Sequence, residues 1–296
     1  MHKYLSAIGF KHIESKNQLN KLLEYVQNNF QWEKTAKVKN YMEISERVKH
    51  FTKDMGIMIY GTYDQDDQYE REYYIPFFEG RNANKFEEIV LERHSSKNSF
   101  AGACEYPGIG ITIIYYLQNA VEYLSELNFG QFNKDSVSIT LSGLASEGKI
   151  LLPVLQEKQS FIEKEESLRK HSKLIKEARS GDESAIESLT MQEMDTYSMI
   201  SKRIEKEDVL SIVSTYFMPC GLECDQYSIL GEILKYEKRE NSLSKEQIYV
   251  LTVECNGMEI DVCINAEDLM GEPEIGRRLK ASIWLQGRLN FEEIEI

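Results

Sequence analysis

The stretch YSILGEILKYEKRENSLSKEQIYVLTVECNGMEIDVCINAEDLMGEPEIGRRLKASIWLQGRL, residues 227–289, decides the fold. It reads as strand, polar loop, strand, tight turn, strand, short helix, strand. Ile248 to Cys255 and Met258 to Asn265 flank Asn256-Gly257. That dipeptide supplies the two positive-φ residues of a two-residue hairpin turn. A turn of that length fixes register. Val253 faces Ile260, Leu251 faces Val262 and Tyr249 faces Ile264, and the six make one apolar face. Gly231 interrupts the first strand, Tyr227 to Glu237, where a small barrel would bulge or bend. The last strand puts Leu279, Ala281, Ile283 and Leu285 on one side, and Lys280, Ser282, Trp284 and Gln286 on the other. This is the pattern of a small closed β-barrel, OB-like or SH3-like, a class that binds more often than it transforms. Four strands are one fewer than an OB barrel needs. An SH3-like closure and a further strand elsewhere both stay open.

Upstream, Asn17 is placed to cap a helix carrying Leu19, Leu22, Leu23, Val26 and Phe30. Strand-like pieces follow at Ile57–Gly61 and Tyr73–Phe78, with the acidic tip of a hairpin between them. Further strands are expected at Glu88–His94, Ser99–Tyr106 and Ile109–Leu117, then a helix through Ala120, Leu124 and Leu127. Val137–Leu144 and Lys149–Val154 read as a last hairpin around Glu147-Gly148. Residues 1–155 are therefore expected to form an α+β domain with a largely antiparallel sheet. Residues 156–218 read as a helical connecting segment. Gly181 and Asp182 stand at a helix break, Thr190 to Glu193 has capping-box spacing, Asp208 is placed to cap a last helix, and Pro219 ends it. Residues 219–296 are the barrel.

Composition narrows the function. The chain has 296 residues, 42% hydrophobic, with a net charge of −14. From Pro219 to Ile296 there are 8 Lys/Arg against 16 Asp/Glu, so more than half of the excess lies on the expected barrel. Such a balance repels phosphate backbones and anionic membrane surfaces. The longest apolar run, Ile109 to Leu117, is far shorter than the roughly 20 residues that span a bilayer. The start has no secretory pattern, and five cysteines show no disulfide framework, so a reduced, cytoplasmic setting is expected.

No motif specifies a reaction or a cofactor. Cys220, Cys224, Cys255 and Cys263 suggest zinc, but the hairpin register puts Cys255 and Cys263 on opposite faces of one sheet. A calcium loop starting at Asp64 would need Gly and Glu where Tyr69 and Ile75 stand. Gly108-Ile109-Gly110 lacks the third glycine of a dinucleotide loop, and Ser142-Gly143 lacks the upstream glycine of a nucleophile elbow. No metal or cofactor is expected. His94 and Glu105 are acid-base candidates if their strands pair, with Cys104 a conceivable nucleophile. Trp284 lies among Arg277, Arg278, Lys280 and Arg288. An aromatic flanked by cations on a barrel's outer face can stack bases. With the barrel at −8, an interface anchor is the better reading, since Trp and Arg are favoured there.

Four stretches are familiar together: Met1-His2-Lys3-Tyr4-Leu5 with Ala7-Ile8-Gly9-Phe10; Tyr115-Tyr116-Leu117-Gln118-Asn119; Phe217-Met218-Pro219 with Glu223-Cys224-Asp225-Gln226-Tyr227; and Ile283-Trp284-Leu285-Gln286-Gly287. They resemble a bacterial family of unknown function typical of clostridia and their relatives. The resemblance covers the whole chain and implies a bacterial, cytoplasmic setting, with no catalytic role for any residue. The leading expectation is a non-enzymatic binding or regulatory protein that contacts a protein partner or a second copy of itself. The alternatives are a small-molecule enzyme with a cleft in the N-terminal domain, and single-strand nucleic-acid binding around Trp284.

Overall fold

The computed structural model describes residues 2–38, 43–84, 86–93, 99–106, 112–130, 137–154, 170–171, 173–204 and 209–291. The fold is α+β and dominated by strands. A 3-10 turn, Lys3–Ile8, opens the chain and ends on Gly9 in the left-handed region. Helix α1, Lys16–Asn28, starts one residue before the expected cap. Ser15 and Gln18 form a reciprocal capping box, and Asn17 lies inside the helix. Leu19, Leu22, Leu23 and Val26 are buried as their spacing requires, while Phe30 falls beyond the helix end.

Strands β1 (Trp32–Lys37), β2 (Glu43–Thr52), β3 (Met55–Tyr63) and β4 (Tyr69–Phe78) form an antiparallel sheet in chain order. The β3–β4 hairpin is the expected one. Asp64 at its tip spends its carboxylate on the turn, accepting from the amides of Asp66 and Gln68 at 2.9 Å. Strands β1 and β2 were not expected, because charged residues punctuate both.

The second sheet contains β5 (Ala83–Asn84), β6 (Glu87–Arg93), β7 (Phe100–Glu105), β8 (Thr112–Leu117), β9 (Val137–Leu151), β10 (Tyr216–Pro219), β11 (Gln226–Glu240), β12 (Gln247–Cys255), β13 (Met258–Asn265), β14 (Leu269–Met270) and β15 (Arg278–Phe291). Helix α2, Ala120–Phe129, follows β8. The β12–β13 register is the one the Asn-Gly turn dictates, Tyr249 opposite Ile264, Leu251 opposite Val262 and Val253 opposite Ile260. Asn256 and Gly257 take φ of 50° and 85°. Strand β11 pairs with β12 on one side and β15 on the other; β13 pairs in parallel with β9; β9 pairs with β15. The ladder thus returns from β15 to β11. The bulge in β11 falls between Ile233 and Lys235, not at Gly231. Gly231 serves a close approach instead, since a Cβ there would stand 2.4 Å from Cys255 Sγ.

Other expectations are corrected. Val137–Val154 is not a hairpin: β9 is one strand that pairs with β15 from Val137 to Leu151, and Gly148 runs through it opposite Ala281. Gly148 is there for space, because a Cβ would meet the side chains of Ile264, Leu269 and Leu279. Thr190 starts no helix. Helix α3, Glu183–Ile204, is continuous, Asp182 caps it, and Thr190 returns its hydroxyl proton to the Ile186 carbonyl. Pro219 ends strand β10 rather than a helix; among the described residues the preceding helix, α4, is Val209–Ile212. The expected cap Asp208 lies outside the described residues, as do 107–111 at the start of the expected Ile109 strand. The expected boundaries at 155 and 219 do not separate the sheets either, since β9 precedes both and β15 follows both.

The core has two parts. One lies within the β11–β12–β13–β9–β15 ladder and under β7 and β8, and includes Ile229, Leu251, Val262, Leu279, Ile283 and Leu285. The other packs the first sheet, α1 and the 3-10 turn against the outer faces of the same strands. Its contributions from that side are Leu144, Ile248, Val250, Cys263 and Trp284. Cys255 and Cys263 accordingly belong to different cores.

Candidate functional site

Alternation along β15 places Lys280, Ser282, Trp284, Gln286 and Arg288 on its outer face, and this face has two fates. In its C-terminal half, Trp284 is only 5% exposed. Its indole stacks on Tyr4 at 5.6 Å and touches His2 and Tyr116 at 4.6 and 5.2 Å between ring centroids. Its Nε1 donates to Asp225 Oδ2 at 2.7 Å. Trp284 is therefore an internal anchor, covered by the chain's own N-terminus and by β8, and not an exposed interface residue. All four stretches that carry the family resemblance meet at or beside this indole.

Gln286 continues the seam. Its Nε2 donates to the Pro76 carbonyl at 2.9 Å, and its Oε1 accepts from Gln118 Nε2 at 2.7 Å. Gln118 also donates to the Phe78 carbonyl at 2.8 Å. Asn119 reads the Leu289 backbone on both sides, donating to its carbonyl at 2.9 Å and accepting from its amide at 3.0 Å. These amides satisfy backbone groups at the end of β4 and along β15, which burial would otherwise leave costly.

Below the seam lies a buried acid that the sequence did not flag. Glu46 on β2 is 2% exposed. The Tyr60 hydroxyl lies 2.7 Å from Glu46 Oε2 and 2.5 Å from the Gln118 carbonyl oxygen. A phenol has one proton, and an ionised Glu46 would leave it facing two acceptors. A neutral Glu46 donates to Tyr60, which then donates to Gln118. Burial pushes the Glu46 carboxyl up to about 7, opposed by the Tyr60 hydrogen bond and by Lys34 and Arg288. Tyr60 stacks on Tyr73 at 4.8 Å, and Tyr73 hydrogen-bonds Tyr116.

The other predicted residues fall as follows. Arg278 is buried, and its guanidinium donates to the carbonyls of Leu152, Leu210 and Val213 at 2.9, 2.8 and 2.8 Å. It is a clip holding α4 to β15, and burial lowers its pKa. Arg288 lies between Glu79 and Glu122 at 3.5 and 3.4 Å. Arg277 pairs with Glu274 at 2.8 Å and bonds the Glu272 carbonyl. The three arginines are spent within the chain. Glu105 is engaged by Arg179, and His94 lies outside the described residues. Cys104 is fully buried, and that burial pushes its thiol up to about 12, the opposite of an activated nucleophile.

Lys280 alone of the predicted cations faces an open space. The N-terminal half of the β15 outer face borders a cleft of about 530 Å³ lined by Glu147–Lys149, Ser228, Glu267–Met270 and Lys280–Ser282. That volume is in the range of small-ligand sites, roughly 300–1,000 Å³. Lys280 stands directly opposite Lys149 in the β9–β15 ladder. The register slips by one residue between Ser282 and Ile283, leaving Ser146 unpaired between Glu147 and Ala145. Bulges of this kind re-aim side chains and are common next to sites. Lys149 could not be singled out beforehand, because β9 and β15 were expected in different domains.

The family described as a domain of unknown function, E. rectale gene description (DUF3881), matches residues 5–287, and the chain belongs to it. No curated protein and no solved structure matches.

Proposed function

We propose that this member of a family without an assigned activity is a non-enzymatic, cytoplasmic binding protein that contacts a protein partner or a second copy of itself. The ladder returning from β15 to β11, with its parallel β13–β9 pair, supports an OB-like barrel in which β9 is the fifth strand that residues 219–296 lack. In OB barrels a frequent ligand wall is the outer face of the second and third strands. Here those would be β12 and β13, whose outer residues Ile248, Val250 and Cys263 are buried against the N-terminal half. Together with the buried Trp284, this disfavours single-strand nucleic acid. The enzyme reading loses support because Glu105 is engaged by Arg179.

The observation that carries the binding reading is the cleft beside β9, β14 and β15, the part of the outer wall left open. Its rim carries Met270, which is 66% exposed. The test is affinity capture from a native lysate together with sedimentation of the pure protein, comparing wild type with Met270→Glu. The expected result is a stoichiometric companion, or a dimer, that the substitution removes. A monomer with no companion, or the same companion on both proteins, would overturn the reading.

A further inference from the structure

We propose that Lys149 and Lys280 form a subsite for a doubly charged oxyanion, a phosphate monoester, within the cleft; the inference rests on the reading that this wall is where ligand binds. The two lysines are partners in the antiparallel register, Lys149 across from Lys280. Directly opposed like charges destabilise a sheet, and side chains at such positions start only about 5 Å apart. Among the described residues, neither ammonium has an ion-pair partner. The acids that line the same cleft, Glu147, Glu267 and Asp268, keep their charge but make their contacts elsewhere. Glu147 accepts the Ser282 hydroxyl at 3.3 Å. Asp268 holds Lys11 at 2.7 Å and the Ser6 hydroxyl, and Glu267 is 3.5 Å from Lys11. A chain with a net charge of −14 has carboxylates in excess, yet among the described residues none of the three in this cleft ion-pairs with either lysine.

The ligand class follows from the charge count. A carboxylate would neutralise one ammonium and leave the other. A phosphate monoester carries about −1.5 to −2 at pH 7 and three acceptor oxygens, enough for both. Lysine suits phosphate as a point charge, without the fork geometry that carboxylates favour in arginine. The phosphate could belong to a free small molecule or to a phosphorylated side chain of a partner; the subsite chemistry is the same.

The experiment is an NMR titration of the full chain with inorganic phosphate, then with N-acetyl-phosphoserine amide and ribose 5-phosphate, and acetate as the single-charge control. The expected result is saturable shifts of the Ser228 and Ser282 amides with phosphate at millimolar concentration, at least tenfold weaker with acetate. Lys149→Ala and Lys280→Ala should each weaken phosphate about tenfold, and Lys149→Arg/Lys280→Arg should restore it. Tighter binding of the phosphoserine derivative assigns the phosphate to a partner, and tighter binding of the sugar phosphate to a free ligand. Absence of saturable shifts, or shifts unchanged in Lys149→Ala/Lys280→Ala, would overturn the subsite. Phosphate binding without any captured companion would sustain the subsite while the protein-partner reading falls. A captured companion with no phosphate binding would do the reverse.

Discussion

The outer face of β15 is one strand with one alternation, and its two halves do opposite things. Trp284 and Gln286 are buried and Arg288 is held between Glu79 and Glu122, whereas Lys280 and Ser282 border an open cleft. Charge and polarity do not separate the halves. Both carry a cation and a neutral polar group, and the largest apolar side chain is in the covered half. The difference lies in what the rest of the chain lays over them. The N-terminal 3-10 turn and the first sheet cover the C-terminal half, and β14 only borders the other. An exposed-looking aromatic in a strand is thus an anchor for whatever covers it, and here the cover is the chain itself.

Breaking the covered half should have the largest effect. Trp284→Ala removes a buried indole that holds His2, Tyr4, Tyr116 and Asp225 together. It should cost about 3–5 kcal/mol of stability, read as a lowered urea midpoint. Gln286→Leu should cost on the order of 1–3 kcal/mol, because it strips the Pro76 carbonyl and the Gln118 amide of a buried partner. A loss below about 0.5 kcal/mol in either variant, the range of ordinary surface substitutions, would mean that this half is not sealed.

Glu46 gives the seam a pH dependence of defined sign. Its folded pKa of about 7 lies above the ordinary carboxylate value, so the folded state holds a proton that the unfolded chain has released. Stability should therefore fall as pH rises from about 4.5 to about 7 and level off above that. Lys34, Arg288, Glu122 and the tyrosines at 60, 73 and 116 are the other charged and titratable groups around it. Glu46→Gln keeps a donor toward Tyr60 and cannot ionise. It should abolish that slope and leave the variant more stable than wild type at about pH 8. An unchanged urea-midpoint profile across this range would exclude Glu46 as the titrating group.

The open half should respond least in stability. Lys149→Ala and Lys280→Ala should lie within about 0.5 kcal/mol of wild type, with any change favourable because a repulsive pair is relieved. A larger loss in thermal or urea unfolding would show that these lysines are structural.

Much of the fold was legible, and the limits were physical. The Asn256-Gly257 turn fixed the β12–β13 register because a two-residue loop permits few alternatives. The apolar alternation of β15 picked out its core side correctly. It could not tell whether the opposite side met water or protein, because Trp and Gln suit either. The break assigned to Glu147-Gly148 was a local inference overruled by a distant partner. Gly148 yields to Ile264, Leu269 and Leu279, residues more than a hundred positions away. Lys149 was invisible for the same reason, since a lysine opposite a lysine exists only once the distant strands β9 and β15 are paired. Glu46 was missed for a local reason: it faces Tyr60 across the β2–β3 hairpin, and β2 was not expected as a strand.

The most direct measurement is the fluorescence of Trp284 as the only tryptophan, in a Trp32→Phe protein. The account predicts blue-shifted emission that acrylamide and iodide quench weakly, becoming ordinary only on unfolding. Red-shifted emission in the folded protein, quenched as readily as free indole, would mean that Trp284 faces water, and the division of β15 into a sealed half and an open half would fail.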